Sequence, residues 1–311
     1  MSEREARHRV ISTFLQAGEP LGLGELAART DLGEEELRAS LDGLVDEGLV
    51  VAGRLLPARP PPQYCWGARW RRDAERRLER ERRKLEEIVN PLAASGGRGA
   101  DIGSEAAAAF HRYVTETYEP PAEKRYLVFL QCSVRRPFST SPSHASMRRA
   151  IAVATGCDPA RDFHSCPVHV VVLASSLGPV PYEFEDIHPA NVRGGGVKHF
   201  SESRYRQVRP ELAGRMAAYL LAHRGHYDRI ATFTEGRYAQ VMEDVRATGV
   251  RDFPILPDPD GPAVGSMGGS APRAYWQKYW IQLYLEVVSW LSPGAQARAA
   301  ARLRELAVDY L

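Results

Sequence analysis

Cysteine is scarce in this chain, neither sign of charge dominates it, and no apolar run approaches the length of a membrane span. Its four cysteines, Cys65, Cys132, Cys157 and Cys166, lie at irregular spacings among 311 residues. The N-terminus shows no charged segment followed by an apolar one. A disulfide framework and an export signal are therefore not expected, and free thiols in a cytoplasmic protein are. The most apolar stretches, Val168 to Ala174 and Ile281 to Val288, are too short or too interrupted to cross a bilayer, so no membrane partner is expected. The 41 basic and 39 acidic residues leave a net charge of +2. No global field then draws the chain to a polyanion, and any such attraction must come from local patches. A phosphate-binding G-x-x-x-x-G-K-[ST] loop and a G-x-G-x-x-G fingerprint are also missing, so no nucleotide cofactor is expected.

What is present divides the chain into unlike parts. Near the N-terminus Val10, Ile11, Phe14 and Leu15 recur at helical spacing, Leu23 to Thr30 reads as a second helix, and Glu34 to Glu47 as a third with Leu37, Leu41, Leu44 and Val45 inward. Gly48 stops that helix. Leu49 to Leu55 and Gln63 to Trp66 would be two wing strands around the proline-rich loop Pro57 to Pro62, the order of a winged helix. Glu34, Glu35 and Glu36 would occupy the first turn of a recognition helix and repel a polyanion. Docking or oligomerisation through this module therefore stands beside nucleic-acid binding. Arg71 to Asn90 reads as a long exposed helix, with Pro91 and the Gly96 to Gly103 region marking its end. Its basic stretch, Arg69, Arg71, Arg72, Arg76 and Arg77, is either a phosphate contact or a solvated helix face.

From Lys124 onward the pattern is strand, helix, strand. Tyr126 to Leu130, Val168 to Leu173 and Arg229 to Phe233 suit buried strands, with helices at about His144 to Ala154, Arg204 to His223 and Tyr238 to Thr248. This predicts an α/β fold, a mostly parallel sheet with flanking helices, behind an N-terminal winged-helix domain. The boundaries read as 1–70 for the winged helix, 71–103 for a charged helical linker, 104–270 for an α/β catalytic domain and 271–311 for C-terminal helices packing on it. The stripe Tyr275, Trp276, Tyr279, Trp280, Leu283 and Trp290 is read as core of those last helices.

Ligands of open α/β sheets sit outside the carboxyl ends of the strands, so the segments following each strand are read together. The first is followed by Gln131, Cys132, Ser133, Arg135, Arg136, Phe138, Ser141, Ser143 and His144, the second by Ser175, Ser176 and then Glu183, Glu185 and Asp186, the third by Glu235 and Arg237. Arginines and a helix N-terminus would favour a Cys132 thiolate, and His144 would move a proton. Glu183 and Glu185 alternate, so an extended segment would carry both on one face. The bland readings are a packed cysteine, and Ser141 and Ser143 as helix caps. Cys157, His164, Cys166 and His169 offer four possible ligands, but the spacing is not that of a zinc knuckle or ribbon, so no metal is expected.

The pattern C-S-x-x-R-P-F-x-x-S-x-S-H from Cys132 to His144, followed by Leu177 to Glu185 and His188, Pro189 and Ala190, resembles the signature of the catalytic, lysine-transferring domain of archaeosine synthase over roughly residues 124 to 250. Gln131 stands where that family has proline, Arg136 where it has lysine, and Phe138 where it has tyrosine. The resemblance implies a transferase that adds the amine of lysine to the nitrile of a 7-cyano-7-deazaguanine base in tRNA, or here in DNA. Cys132, His144 and Glu183 would be catalytic. Ser133, Arg135, Arg136, Ser141, Ser143, Arg148, Ser175, Glu185 and Glu235 would bind substrate, and Lys198 would contact an anion. Nitrile hydration on a DNA base and a non-catalytic nucleic-acid-binding or regulatory role are the alternatives.

Overall fold

A computed structural model describes residues 3–17, 21–46, 50–53, 63–66, 68–93, 101–263 and 279–308. Two separate apolar clusters organise them. The smaller gathers Val10, Phe14, Leu26, Leu37, Leu41 and Leu44, the positions that recur at helical spacing. They are carried by α1 (Glu3–Ala17), α2 (Leu23–Thr30) and α3 (Glu34–Asp46). A three-stranded antiparallel sheet joins these helices, with β3 (Gln63–Trp66) between β1 (Leu21–Gly22) and β2 (Val50–Gly53). The acidic first turn of α3 faces solvent, where Glu34 pairs with Arg38 one turn on. The proline loop Pro57 to Pro62 lies outside the described residues.

α4 (Ala68–Ala93) runs through Pro91, which sits in its last turn rather than ending it. Four of its arginines are engaged along the helix or with the larger unit. Arg76 meets Asp73, Arg83 meets Glu79, Arg71 bonds Ser165 and Arg82 forks onto Asp186. This pairing is what a solvated, docked helix face needs to balance its charge.

The larger cluster surrounds a five-stranded sheet in the order β6-β5-β4-β7-β8. β4 (Tyr126–Gln131) is central and parallel to both β5 (Val168–Ala174) and β7 (Arg229–Phe233). Every residue of β5 is buried, the signature of a strand covered on both faces. Two strands are absent from the sequence reading. β6 (Gly178–Pro181) returns antiparallel against β5, and β8 (Ile255–Leu256) adds two residues beside β7 between Pro254 and Pro257. Both fall where proline and glycine mask the strand signal, and edge strands tolerate those residues because one side of the ladder stays unpaired.

α6 (Pro142–Thr155) links β4 to β5, and the C-terminal helices Trp280–Ser289 and Pro293–Val308 pack on it. α7 (Glu202–Ala222) and α8 (Arg237–Ala247) pack together, and α7 also covers β6 and α5 (Glu105–Arg112) lies near it through Arg215. Tyr279, Trp280 and Leu283 are core, as read, while Tyr275 and Trp276 lie outside the described residues. Among the described residues no helix is long and apolar enough to cross a membrane.

Candidate functional site at the switch point of the sheet

The chain leaves β4 toward β5 and β6 on one side, then returns to place β7 and β8 on the other. Connections that diverge from neighbouring strands open a crevice at their carboxyl ends, here between β4 and β7. A cavity of about 710 Å³ occupies that crevice, and Cys132, Lys198, Glu235, Tyr238 and Asp258 are among its walls. Gln131 ties the two strand ends together, its side-chain carbonyl accepting the Glu235 amide N–H at 2.9 Å. A second hollow, of about 610 Å³, lies between α4 and residues 118–123, and among the described residues its lining holds no thiol, serine or lysine.

Cys132 is half-buried at the cavity wall. Nη2 of Arg136 lies 3.9 Å from its sulfur. That guanidinium is fixed by donating to the carbonyls of Ala190 (2.9 Å) and Ser133, and by stacking 3.8 Å over the Phe138 ring. The thiol itself donates to the Ser133 carbonyl at 3.5 Å. Tyr238 lines the same cavity as Cys132, and its hydroxyl bonds the Ser175 hydroxyl at 2.9 Å. Burial first, and then the neighbouring Cys132, hold the phenol well above its ordinary pKa, so it remains a donor. The sequence reading missed Tyr238 because it begins a helix and looks like a core aromatic. Its place one turn past the end of β7 was the available signal.

His144 does not face the cysteine. It is fully buried, with Nε2 donating to the Gln131 carbonyl (2.9 Å) and Nδ1 accepting from the Tyr182 hydroxyl (2.6 Å). Desolvation lowers its pKa to about 3, so the ring is a neutral strut between β4 and the Tyr182 turn rather than a proton carrier. Ser141 caps α6 by accepting the His144 amide, and Ser143 bonds the Ser141 hydroxyl at 3.1 Å. Both serve the helix start.

Glu183 departs furthest from expectation. Residues Tyr182–Phe184 form a 3₁₀ turn rather than an extended segment, so Glu183 and Glu185 point to different places. Glu183 is fully buried, with both carboxylate oxygens 3.1 Å from Nε2 of His169 and one also accepting from Tyr118. His169 pairs in register with Leu127 and Leu173 with Gln131, four residues along β5, so this carboxylate's partner lies roughly 13 Å along the strand from the end that carries Cys132. The charges and hydrogen bonds of its partners outweigh desolvation and hold Glu183 below the ordinary carboxylate range. Glu185 accepts from the Ser139 amide (2.8 Å) and hydroxyl, and burial raises its pKa.

Arg148 is likewise committed, forking onto Asp158 and donating to the Ser139 carbonyl at 2.6 Å. Its charge is already balanced by Asp158. Ser133 bonds the Arg135 carbonyl at 3.2 Å, the Arg135 side chain is exposed, and Ser175 hydrogen-bonds Tyr238 at 2.9 Å. Glu235 is half-buried and Lys198 exposed at the cavity. His164 bonds Glu123 while His169 bonds Glu183, so the two histidines of the possible metal cluster turn to different partners.

A doubly wound α/β unit with a thiol at its switch point is the class that this geometry defines. Residues 107–262 match the family described as a domain of unknown function, DUF5591, and the chain belongs to it. The chain is 33% identical over 137 residues to archaeosine synthase subunit alpha of Methanosarcina acetivorans, covering 44% of this chain and 19% of that one. It is 31% identical over 110 residues to the subunit alpha of Thermococcus kodakarensis, covering 35% and 18%. The matches thus span about a fifth of the length of these relatives. A crystal structure of AF0587, a protein of unknown function, aligns with a TM-score of 0.33 at 22% identity, over 49% of this chain and 44% of that one.

Proposed function

We propose that the α/β unit, residues 104–270, modifies a 7-deazaguanine base by adding an amine to its nitrile, with the Cys132 sulfur as covalent nucleophile. The observation that carries this reading is the Cys132 sulfur at the wall of the switch-point cavity, among Lys198, Glu235 and Tyr238, with the Arg136 guanidinium 3.9 Å from it. The similarity to archaeosine synthase subunit alpha supports the choice of base and of tRNA as the polymer.

The Cys132 thiolate attacks the nitrile carbon. An S–C bond forms, one C–N π bond opens, and the nitrogen takes a proton to give a thioimidate. The neutral lysine ε-amine then adds to the same carbon, the C–S bond breaks, and the thiolate leaves with its electron pair. The amine proton passes to a base, and an amidine remains with no other product. Glu183 is walled off from this chemistry, so Glu235 takes the part of binding the ammonium and accepting its proton. Lys198 at the cavity wall, with Arg135 and Ser133 on the loop after β4, receives the polyanion, and the N-terminal unit, with the element order of a winged helix, docks the nucleic acid or a partner chain.

The test is incubation with tRNA, and separately a DNA oligonucleotide, containing 7-cyano-7-deazaguanine, with and without lysine, followed by nucleoside mass analysis. A gain of one lysine is expected. A gain of one water would assign hydration, and an unchanged nucleoside despite binding would assign a regulatory role. Cys132→Ala retaining single-turnover activity would remove the covalent step.

A further inference from the structure

The loop after β8 is held by a single buried amide. Leu130 of β4, Phe233 of β7 and Leu256 of β8 lie in register, so the residues that follow Leu256 emerge at the same carboxyl edge as Cys132. Gln282, buried on the C-terminal helix Trp280–Ser289, spends its whole amide on that loop. Its Oε1 accepts the Asp258 N–H at 2.8 Å, and its Nε2 donates to the carbonyls of Asp258 at 2.8 Å and Pro262 at 3.0 Å. The Tyr279 hydroxyl adds a bond to the Pro259 carbonyl at 3.2 Å. A Cβ on Gly261 would stand 2.8 Å from Nε2 of Gln282, so the loop closes on the amide only with glycine there. The backbone N–H and carbonyl of Asp258 are thereby fixed, and one of its carboxylate oxygens accepts the Asp260 N–H at 3.0 Å. The other oxygen has no hydrogen-bond partner among the described residues.

Charge in the cavity is of both signs. Asp258, Glu235 and Glu243 line it together with Lys198 and Arg246, and none of them forms an ion pair among the described residues, whereas Arg237 is met by Glu202. Unlike charges left without partners in one hollow complement a ligand that itself carries both signs. Cys132 and Asp258 each follow the in-register positions by two residues, on strands separated by β7. Two strand spacings are roughly 10 Å. A span of this size suits a ligand with two amines on a short aliphatic chain rather than a single amine.

We propose that Asp258 binds the α-ammonium group of an amino acid co-substrate and so selects an α-amino acid over a simple amine, with Gln282 as the positioning residue that sets it at the cavity wall. Arg246 meets the α-carboxylate, and the side-chain amine extends toward Cys132. The use of that amine rests on the amine-addition reading, but the selection of the α-amino group does not.

The experiment measures binding of L-lysine and of 6-aminohexanoate, which lacks only the α-amino group, to the full chain by isothermal titration calorimetry. The parent is expected to bind lysine more tightly by about tenfold. Asp258 is exposed, so Asp258→Asn removes its charge without disturbing the core. That variant is expected to weaken lysine by about tenfold and to leave 6-aminohexanoate within about twofold, which abolishes the margin between them. Gln282→Met is expected to shrink the same margin, a change of ratio that a general loss of stability does not produce. Absence of lysine binding, equal affinity of the parent for the two ligands, or an unchanged lysine affinity in Asp258→Asn overturns the proposal. Selective lysine binding that is lost in Asp258→Asn, in a protein that leaves the nitrile base unchanged, would retain the site and discard the reaction. Conversion of the base by lysine with an unaltered KM in Asp258→Asn would do the reverse.

Discussion

The Tyr182 hydroxyl donates to Nδ1 of His144 at 2.6 Å, and the other ring nitrogen of His144 holds the Gln131 carbonyl at the end of β4. The histidine that closes the sequence motif therefore joins the turn after β6 to the strand that presents Cys132. Its ring braces the site without entering it.

Because burial depresses the pKa of His144 to about 3 from an ordinary 6.5, the unfolded chain binds the extra proton first as pH falls. The stability from the neutral ring is fully present above about pH 6.5 and is lost as pH drops toward 3. His226, lowered to about 4 chiefly by burial, adds the same sign over an overlapping range. Thermal midpoints measured from pH 7 to 4 are expected to fall, and less steeply in His144→Gln. The same variant should be destabilised at pH 7 by about 1–3 kcal/mol, the cost of leaving a buried partner unsatisfied.

Glu183 and His169 make a pair shielded from water, with Tyr118 and Tyr227 at its ends. Glu183→Leu, which strands the histidine, should cost about 3–5 kcal/mol in urea titration. Alkylation of Cys132 in the surviving folded fraction should match the parent, because the pair sits at the opposite end of β5. Since Glu183 titrates below the ordinary carboxylate range, its stabilisation is present above about pH 4.5 and declines as pH falls through its folded value. Glu183→Gln removes that acid-side loss. An altered alkylation rate would return Glu183 to the site.

Glu235 lines the cavity with Cys132, as do Glu243 and Asp258. Under the amine-addition reading, Glu235→Gln should raise KM for lysine by about tenfold, near 1.4 kcal/mol of lost binding, and leave the Cys132 alkylation profile in place. Steady-state kinetics with varied lysine reads this directly. An unchanged KM would exclude Glu235 from amine binding.

Gly178 opens β6 with φ of +88°, and a Cβ there would meet Cβ of Arg215 at 2.9 Å. Arg215 is itself buried and donates to the Leu177 carbonyl at 3.1 Å. Gly178→Ala combines a left-handed backbone with a clash against a fixed side chain, so it should destabilise the fold by more than about 1 kcal/mol. A denaturant midpoint equal to that of the parent would contradict the placement of β6 against α7.

Much of the scaffold is readable from local pattern. Tyr126 to Leu130 and Val168 to Leu173 are short, nearly continuous apolar runs, and such runs between helices describe a parallel sheet without knowledge of neighbours. Cys132, Ser175 and Glu235 were all legible as strand-end residues for the same reason. Partnership was not legible. Arg148 looks the same in sequence whether it meets a phosphate or Asp158, and the choice depends on a loop ten residues away folding back onto the helix. Glu183 alternates with Glu185 on paper, but proline before the turn and the buried His169 pull the chain into a 3₁₀ turn that separates them.

The residue pattern by itself determined the three parallel central strands, the helices between them and the chemistry available at the strand ends, because periodicity and side-chain type act over a few residues. Only the tertiary structure decided which of those groups share a cavity. The strand order that sets β4 beside β7 brings Tyr238 and Cys132 to the walls of one cavity, while packing and charge balance with His169 and Tyr118 hold Glu183 in the core.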